Sequence, residues 1–169
     1  MAKNTVKNEG ALSADTRKII NDNFRDVAVC TTTFSATSGT TGTTLTDVPG
    51  LITATLDPGQ YTFRAVLGVV STINSGLKIA FKQGTASMVS AIEYDARAYG
   101  ASSVAASRGT TTTDQTSIVA ATAAYVHVLI EGTVTIAAAG TLQLQAAQNA
   151  SHADTTSVYL GSFIEFEKV

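Results

Sequence analysis

At 169 residues with a net charge of −2, the chain has the size of one domain that can bury its own core. Charged residues make up only 14% of the sequence and form no basic cluster, which argues against a nucleic-acid partner. No apolar run approaches the ~18 residues that a membrane-spanning helix needs, and the N-terminus lacks the apolar core of a signal peptide. We therefore expect neither membrane insertion nor secretion.

Residues 1–27 are polar and are predicted to form an arm followed by one helix, as a module separate from residues 28–169. The helix is predicted over residues 12–24, where Ser13 is a suitable N-cap and Asp15 complements the helix dipole. Apolar side chains recur at helical spacing at Leu12, Ile19, Ile20, Phe24 and Val27. A helix of about three turns is marginal alone in water. It should therefore dock on its own domain, on partner helices or on a larger assembly.

The single cysteine, Cys30, cannot form a disulfide within the chain. It is either a small buried apolar side chain or half of an intersubunit disulfide near a symmetry axis. The sequence leaves both alternatives open.

From residue 28 onward the sequence predicts strands and loops, because it is rich in small β-forming residues and poor in charge. The loops are predicted at 35–43 and 99–114. The predicted strands span residues 29–34, 44–48, 51–56, 61–72, 77–82, 88–97, 117–120, 124–131, 141–147 and 157–169. Strands at this spacing without an exact repeat indicate an all-β sandwich or barrel.

The last three predicted strands alternate between two faces, which is typical of strands with one buried side. In residues 141–147, Leu142 and Leu144 are expected to face the core and Gln143 to face solvent. The final strand places four apolar residues on one face, at Val158, Leu160, Ile164 and Phe166. Its other face carries Tyr159 and Phe163, two aromatics that a solvated face would not need. We expect a neighbouring subunit to cover them.

Residues with catalytic potential are few. The two histidines, His127 and His152, lie in different contexts without a carboxylate at metal-ligand spacing. Glu93, Asp95 and Arg97 share one face of a predicted strand, as a solvated or salt-bridged group. The sequence holds no phosphate-binding glycine loop and no nucleophile elbow. We expect no cofactor, no metal and no enzyme activity.

Four segments carry a resemblance: LTDVPGLITATLDPGQYTFR from residue 45, IEGTV from residue 130, GTLQLQAAQN from residue 140 and VYLGSFIEF from residue 158. They resemble virion proteins of tailed bacteriophages and prophages, and are similar to the C1q/TNF-like jelly roll, which ends in a Gly-Ser-aromatic strand. The resemblance covers roughly residues 43–169. It implies an all-β jelly-roll sandwich that forms a tight homotrimer and serves as a head fibre, a decoration protein or a fibre tip.

Taken with this resemblance, the aromatic faces predict a trimer interface that contains Tyr125, Leu129, Tyr159 and Phe163. The N-terminal module resembles the short attachment segments of such proteins and would bind other virion proteins of the capsid, neck or tail. Its predicted anchor residues are Lys3, Lys7, Ile19, Ile20 and Phe24. The expected location is the virion, after synthesis in the host cytoplasm.

Two functions remain open for such a protein. One is a structural decoration protein or short head fibre on the capsid or neck. The other is a receptor-binding tail-fibre tip that recognises a glycan or protein of the host cell surface through loops at residues 37–42 and 101–113. The absence of a long shaft with heptads or repeats favours the first.

Overall fold

The computed structural model describes residues 26–36, 42–72, 74–99, 106–112, 116–118 and 125–169, and among these it contains twelve strands and no helix. The strands are β1 (Asp26–Val29), β2 (Phe34–Ala36), β3 (Thr46–Ile52), β4 (Gly59–Val70), β5 (Leu77–Gln83), β6 (Val89–Tyr99), β7 (Ala106–Gly109), β8 (Thr116–Ile118), β9 (Tyr125–Ile136), β10 (Leu142–Ala147), β11 (Thr156–Val158) and β12 (Phe163–Lys168). The predicted helix at residues 12–24 lies outside the described residues.

The strands form two antiparallel sheets that enclose one core, which confirms the predicted all-β class and is consistent with a β-sandwich. The larger sheet has eight strands, with the main order β1-β12-β4-β9-β6-β7. Strand β11 joins it by pairing with both β2 and β4. The smaller sheet has four strands in the order β3-β10-β5-β8.

The core follows from strict alternation in the long central strands. In β4, every second residue from Tyr61 to Val69 is buried, as the sequence pattern predicts. Four aromatic rings then join the two sheets: Phe63 packs at a centroid distance of 5.3 Å from both Phe81 and Phe166, and Tyr94 lies 5.3 Å from Phe81. Because Phe81 belongs to β5 and the other three rings to the larger sheet, this cluster fixes how the sheets pack.

The predicted strand at residues 29–34 is wrong, because Cys30–Thr33 separate two short strands. Strand β1 begins at Asp26, two residues before the expected start of the β-domain, and pairs with β12 from Asp26↔Phe166 to Val29↔Phe163. Val27 therefore lies in a strand and not on the stripe of the predicted helix. Val27 fits both the spacing of the predicted helix and the alternation of a strand. Its pairing with Glu165 of β12 shows that it belongs to a strand.

The predicted final strand is interrupted by a bulge at Tyr159–Ser162. Val158 pairs with Val69 and Phe163 with Val66, so four residues stand opposite two residues of β4. The Tyr159 amide donates to the Gly68 carbonyl at 2.8 Å, and the Gly68 amide donates to Ser162 Oγ at 3.0 Å. The bulge therefore adds two residues relative to β4. Because side chains alternate with a period of two, alternate residues before and after the bulge still face the same side. Leu160 itself is turned out and is 65% exposed, against its predicted burial.

The Pro49-Gly50 pair lies within β3, where the sequence predicts a break between two strands. Strand β3 is an edge strand, which tolerates the missing amide of proline. Its register with β10 shifts between Gln143↔Ile52 and Gln145↔Asp47, and Gly50 adopts φ +82°. Gln143, which the sequence predicts to face solvent, is buried at the position of this register shift. Its Nε2 donates to the carbonyls of Val48 and Leu51 at 2.9 and 3.0 Å.

Replacing Gln143 with leucine should lower the free energy of unfolding by about 1–3 kcal/mol, because two carbonyls of β3 lose their buried donor. Gln145→Leu is the matched control, since Gln145 donates to Asp47 at the surface and its loss should cost less than about 1 kcal/mol. Urea unfolding of both variants measures the difference. Equal losses would show that Gln143 does not stabilise the irregular part of β3.

The predicted loop at residues 99–114 is also partly wrong, because Ala106–Gly109 form β7 on β6. The Ala-Ser-Arg-Gly sequence of β7 pairs as an edge strand without alternating between apolar and polar residues, so the sequence pattern misses it.

We name the two ends of the larger sheet by the strand ends that lie there. The base end is the end where β4 begins at Gly59 and β12 finishes at Lys168. The tip end is the end where β4 finishes at Val70, β6 finishes at Tyr99 and β9 begins at Tyr125.

Candidate interaction surface

The larger sheet presents an outer face that faces away from the core. Residues that alternate with the core positions of β1, β12, β4 and β9 point to this face. One row across these four strands is apolar, because the register aligns Val29, Phe163, Val66 and Leu129 side by side. Direct cross-strand neighbours have Cβ atoms about 4.5–5.5 Å apart. The row is therefore a continuous apolar surface.

Two tyrosines extend this surface toward the tip end. Tyr125 is 52% exposed and its ring centroid lies 5.6 Å from that of Tyr159, with the rings edge to face. The Tyr125 ring leans across the adjacent strand and its hydroxyl occupies the space above Gly68, where a Cβ atom would collide with it. The His127 ring lies 5.2 Å from Tyr125 on the same strand. Because glycine has no Cβ atom, Gly68 leaves the space that the Tyr125 ring occupies on the sheet.

We call the set of Val29, Val66, Tyr125, Leu129, Tyr159 and Phe163 the apolar patch. It contains all four residues of the predicted interface, which the fold brings onto one face in adjacent rows.

Sequence reasoning missed part of the exposed apolar surface. Val29 is 47% exposed and Val66 is partly exposed, and both belong to the apolar patch. Val27 is exposed on the same side of β1, and Leu160 protrudes from the bulge. The missed signal was the second face of β4, where Val66 interrupts a polar series of Gln60, Thr62 and Arg64.

The half of the outer face nearer the base end is charged. In the row next to the apolar one, Glu165, Arg64, Glu131, Asp95 and Arg108 follow one another across five strands. Arg64 Nε lies 3.9 Å from Glu131 Oε1, and Arg108 pairs with Glu93. These side chains are about half exposed, so each pair alone contributes little to stability. The charges confine the apolar patch to one half of the face.

The outer face of the smaller sheet has a different composition. Lys82 Nζ donates to Asp47 Oδ2 at 2.9 Å, and Gln145 Nε2 donates to Asp47 Oδ1 at 2.7 Å. The hydrogen bond from Lys82 lowers the pKa of the Asp47 carboxyl from its ordinary value. Lysine, glutamine and aspartate in an exposed network are typical of a solvated face.

His152 and Asp154 form a polar cluster with Thr72 at the tip end. Asp154 Oδ2 accepts from Thr72 Oγ1 at 2.7 Å and lies 3.0 Å from His152 Nδ1. The Thr72 hydroxyl is the main cause that lowers the pKa of the Asp154 carboxyl. The carboxylate stands between the hydroxyl and the imidazole, so the imidazole is not placed to take a proton from the hydroxyl. This arrangement ties the chain around residue 154 to the end of β4.

Among the residues that the structure describes, no three His, Cys, Asp or Glu side chains come together as a metal site. Likewise, no described helix is long and apolar enough to cross a membrane.

Cys30 is fully buried in the core, and its Sγ donates to the Thr32 carbonyl at 3.0 Å. Burial raises the pKa of this thiol. An intersubunit disulfide would require the thiol to reach the surface, so the geometry favours the packing alternative.

The predicted anchor residues Lys3, Lys7, Ile19, Ile20 and Phe24 lie outside the described residues, and so do residues 37–41, 101–105 and 113 of the predicted outer loops. No protein-family model matches the chain, and no curated protein matches it.

Proposed function

We propose that the chain is a non-enzymatic structural protein of a tailed-phage virion, a homotrimeric capsid or neck decoration protein or short head fibre. Its β-domain would be a C1q/TNF-like jelly roll, and residues 1–25 would attach it to other virion proteins. The apolar patch is the observation that carries this proposal. An exposed aromatic and aliphatic surface of this kind is typical of protein–protein contacts, and all four residues expected from the sequence belong to it.

The direction of the chain in the sheet supports an anchored molecule. Asp26 is the end of β1 nearer the base end, because it pairs with Phe166 close to the finish of β12. The residues that lead into the predicted outer loops, Ala36 and Tyr99, lie at the tip end, and the second of these loops continues as β7, which runs back toward the base end. An attachment segment before Asp26 would therefore start farther from the tip end than the first residues of both loops.

Removing residues 1–25 should leave a folded trimer that no longer binds the particle, because β1 and the apolar patch remain intact. The cut is placed before Asp26, whose Oδ2 accepts from the Ala54 amide at 3.0 Å and whose strand pairs with β12. Binding of the truncated and full-length proteins to particles that lack the protein would be measured by co-sedimentation. Equal binding would overturn the anchor assignment.

A receptor-binding fibre tip is the second candidate, favoured by the position of Ala36 and Tyr99, which lead into the two predicted loops, at the same tip end. The copy number in purified particles separates the two functions. Hundreds of copies are expected of a decoration protein, and about a dozen of a fibre.

A further inference from the structure

The connection from β4 to β5 and the connection from β10 to β11 meet at the tip end, where hydrogen bonds join them. The Ala150 amide donates to the Ser75 carbonyl at 2.9 Å, and Thr72 Oγ1 donates to Asp154 Oδ2 at 2.7 Å. The first of these links joins two backbone groups, which do not ionise. The second link ends on a carboxylate that also lies beside a histidine, so this part of the tip end contains ionisable groups within its hydrogen-bond network.

The His152 ring makes two contacts through one nitrogen. Its Nδ1 lies 3.2 Å from the amide nitrogen of Asp154 and 3.0 Å from Oδ2 of the same residue. The amide can only donate a hydrogen bond, and the ionised carboxylate can only accept one. Nδ1 must therefore carry a lone pair for the first contact and a proton for the second. It cannot form both hydrogen bonds at once.

The other partners of Asp154 indicate which of the two contacts the neutral ring makes. Thr72 Oγ1 and Asn74 Nδ2 already donate to Asp154 Oδ2, at 2.7 and 3.5 Å. The Asp154 amide, in contrast, has Nδ1 of His152 as its acceptor. All of these groups are satisfied when Nε2 carries the proton of the neutral ring and Nδ1 accepts from the amide.

Protonation of the His152 ring exchanges one contact for the other. The added proton lies on Nδ1, which then donates a charge-assisted hydrogen bond to the Asp154 carboxylate and no longer accepts from the amide. Histidine is the side chain that ordinarily changes its charge between about pH 5 and 8. The hydrogen bond from Thr72 lowers the pKa of the Asp154 carboxyl, so the carboxylate stays ionised over this range.

Gln148 connects this exchange to the rest of the tip end. Its side chain is fully buried, and its Nε2 donates to the carbonyls of both His152 and Asp154. Its backbone amide donates to the Gly42 carbonyl at 2.8 Å. A change in the backbone between residues 152 and 154 therefore acts on Gln148 and, through it, on the last residue of the first predicted outer loop.

The segments around this pair contribute few other charges. Residues 71–76 and 36–46 contain no ionisable side chain, and His152 and Asp154 are the two within residues 147–158. From β5, Lys78 stands opposite Ala147 on the outer face of the smaller sheet. Lysine does not ordinarily titrate between about pH 5 and 8. A response of this region in that range would therefore come from the histidine.

We infer that His152 and Asp154 form a protonation-dependent switch at the tip end. The neutral His152 ring accepts from the Asp154 amide, and the charged ring donates to the Asp154 carboxylate. The connection from β10 to β11 thus has two hydrogen-bonded forms that pH selects, and Gln148 transmits the difference to Gly42. The switch lies within one chain and does not depend on the proposed trimer, so its failure would leave the proposed function unchanged.

Nitrogen-15 NMR of the full-length protein between about pH 8 and 5 tests the switch. At the upper end of this range, His152 Nδ1 should have the chemical shift of an unprotonated nitrogen and show a scalar coupling across the hydrogen bond to the Asp154 amide nitrogen. At the lower end, Nδ1 should be protonated, the coupling should be lost and the Asp154 amide proton should move upfield. A proton on Nδ1 at the upper end, or a coupling that persists at the lower end, would overturn the switch.

Two variants separate the switch from general effects of pH. In His152→Ala, the amide resonances of Asp154 and Gln148 should not titrate over this range. His127→Ala is the matched control, because it removes the other histidine of the chain, and both resonances should titrate as in the wild type. Titration that persists in His152→Ala would overturn the role of His152. A wild-type Gln148 amide that stays constant while the Asp154 amide moves would contradict the transmission to Gly42.

Discussion

Replacing Phe63 with alanine is expected to lower the free energy of unfolding by about 3–5 kcal/mol, the largest loss from any single substitution proposed for this protein. Phe63 stacks on Phe166 of the neighbouring strand and meets Phe81 of the opposite sheet edge to face, both at 5.3 Å. It is almost completely buried. Truncation would therefore leave a cavity at the point where the two sheets are joined, and stiff strands cannot close around it.

Urea unfolding at one fixed protein concentration measures this loss, because association also contributes to the apparent stability of an oligomer. Leu160→Ala serves as the control, since this leucine protrudes into solvent from the bulge and its loss should change stability by less than about 0.5 kcal/mol. A Phe63→Ala variant as stable as the control would mean that the aromatic cluster does not hold the sheets together.

Replacing Gly132 with alanine should cost about 1–3 kcal/mol, although only one methyl group is added. Gly132 stands between Phe63 and Tyr94 in the register of the larger sheet. A Cβ atom there would lie 2.6 Å from Tyr94 Cβ and 2.9 Å from Phe63 Cζ, and it would collide with the Glu93 carbonyl oxygen. The backbone oxygen cannot move away without disturbing the β6–β9 pairing.

The thermal unfolding midpoint of Gly132→Ala is compared with that of Thr133→Ala, the next residue of the same strand, whose side chain is exposed. We expect a clear decrease for the glycine variant and little change for the threonine variant. If both midpoints stay at the wild-type value, the two aromatic rings do not need the space above Gly132.

The long strands could be predicted from the sequence because their two faces differ strongly in polarity. In β9, Val126, Val128 and Ile130 are buried as expected, and the alternation continues beyond the predicted end to Ile136. The burial of alternate residues depends only on the period of a strand, which is a local property.

The irregular positions could not be predicted, because they depend on pairing between distant segments. The bulge at Tyr159–Ser162 exists only with respect to β4, and nothing within its own sequence shows that Leu160 leaves the core face. Gln143 is buried by the register shift of β3, about 90 residues away in sequence. Long-range register of this kind is invisible to a pattern read along one strand.

The candidate surface was predicted in part, for the same reason. Tyr159 and Phe163 stand out as aromatics on a face that should be polar, and Tyr125 and Leu129 follow from the neighbouring strand. Val29 and Val66 become part of the surface only through their alignment with Phe163 in the register. Alternation indicates which residues face outward, but only the pairing of strands shows which of them lie side by side.

The mass of the full-length protein in solution tests the central claim of a homotrimer most directly. Sedimentation equilibrium at micromolar concentration, analysed over several rotor speeds, gives this mass without assumptions about shape. We predict three times the mass of one chain, independent of concentration over the micromolar range. A mass equal to one chain throughout that range would contradict the trimer and leave the apolar patch without the partner proposed for it.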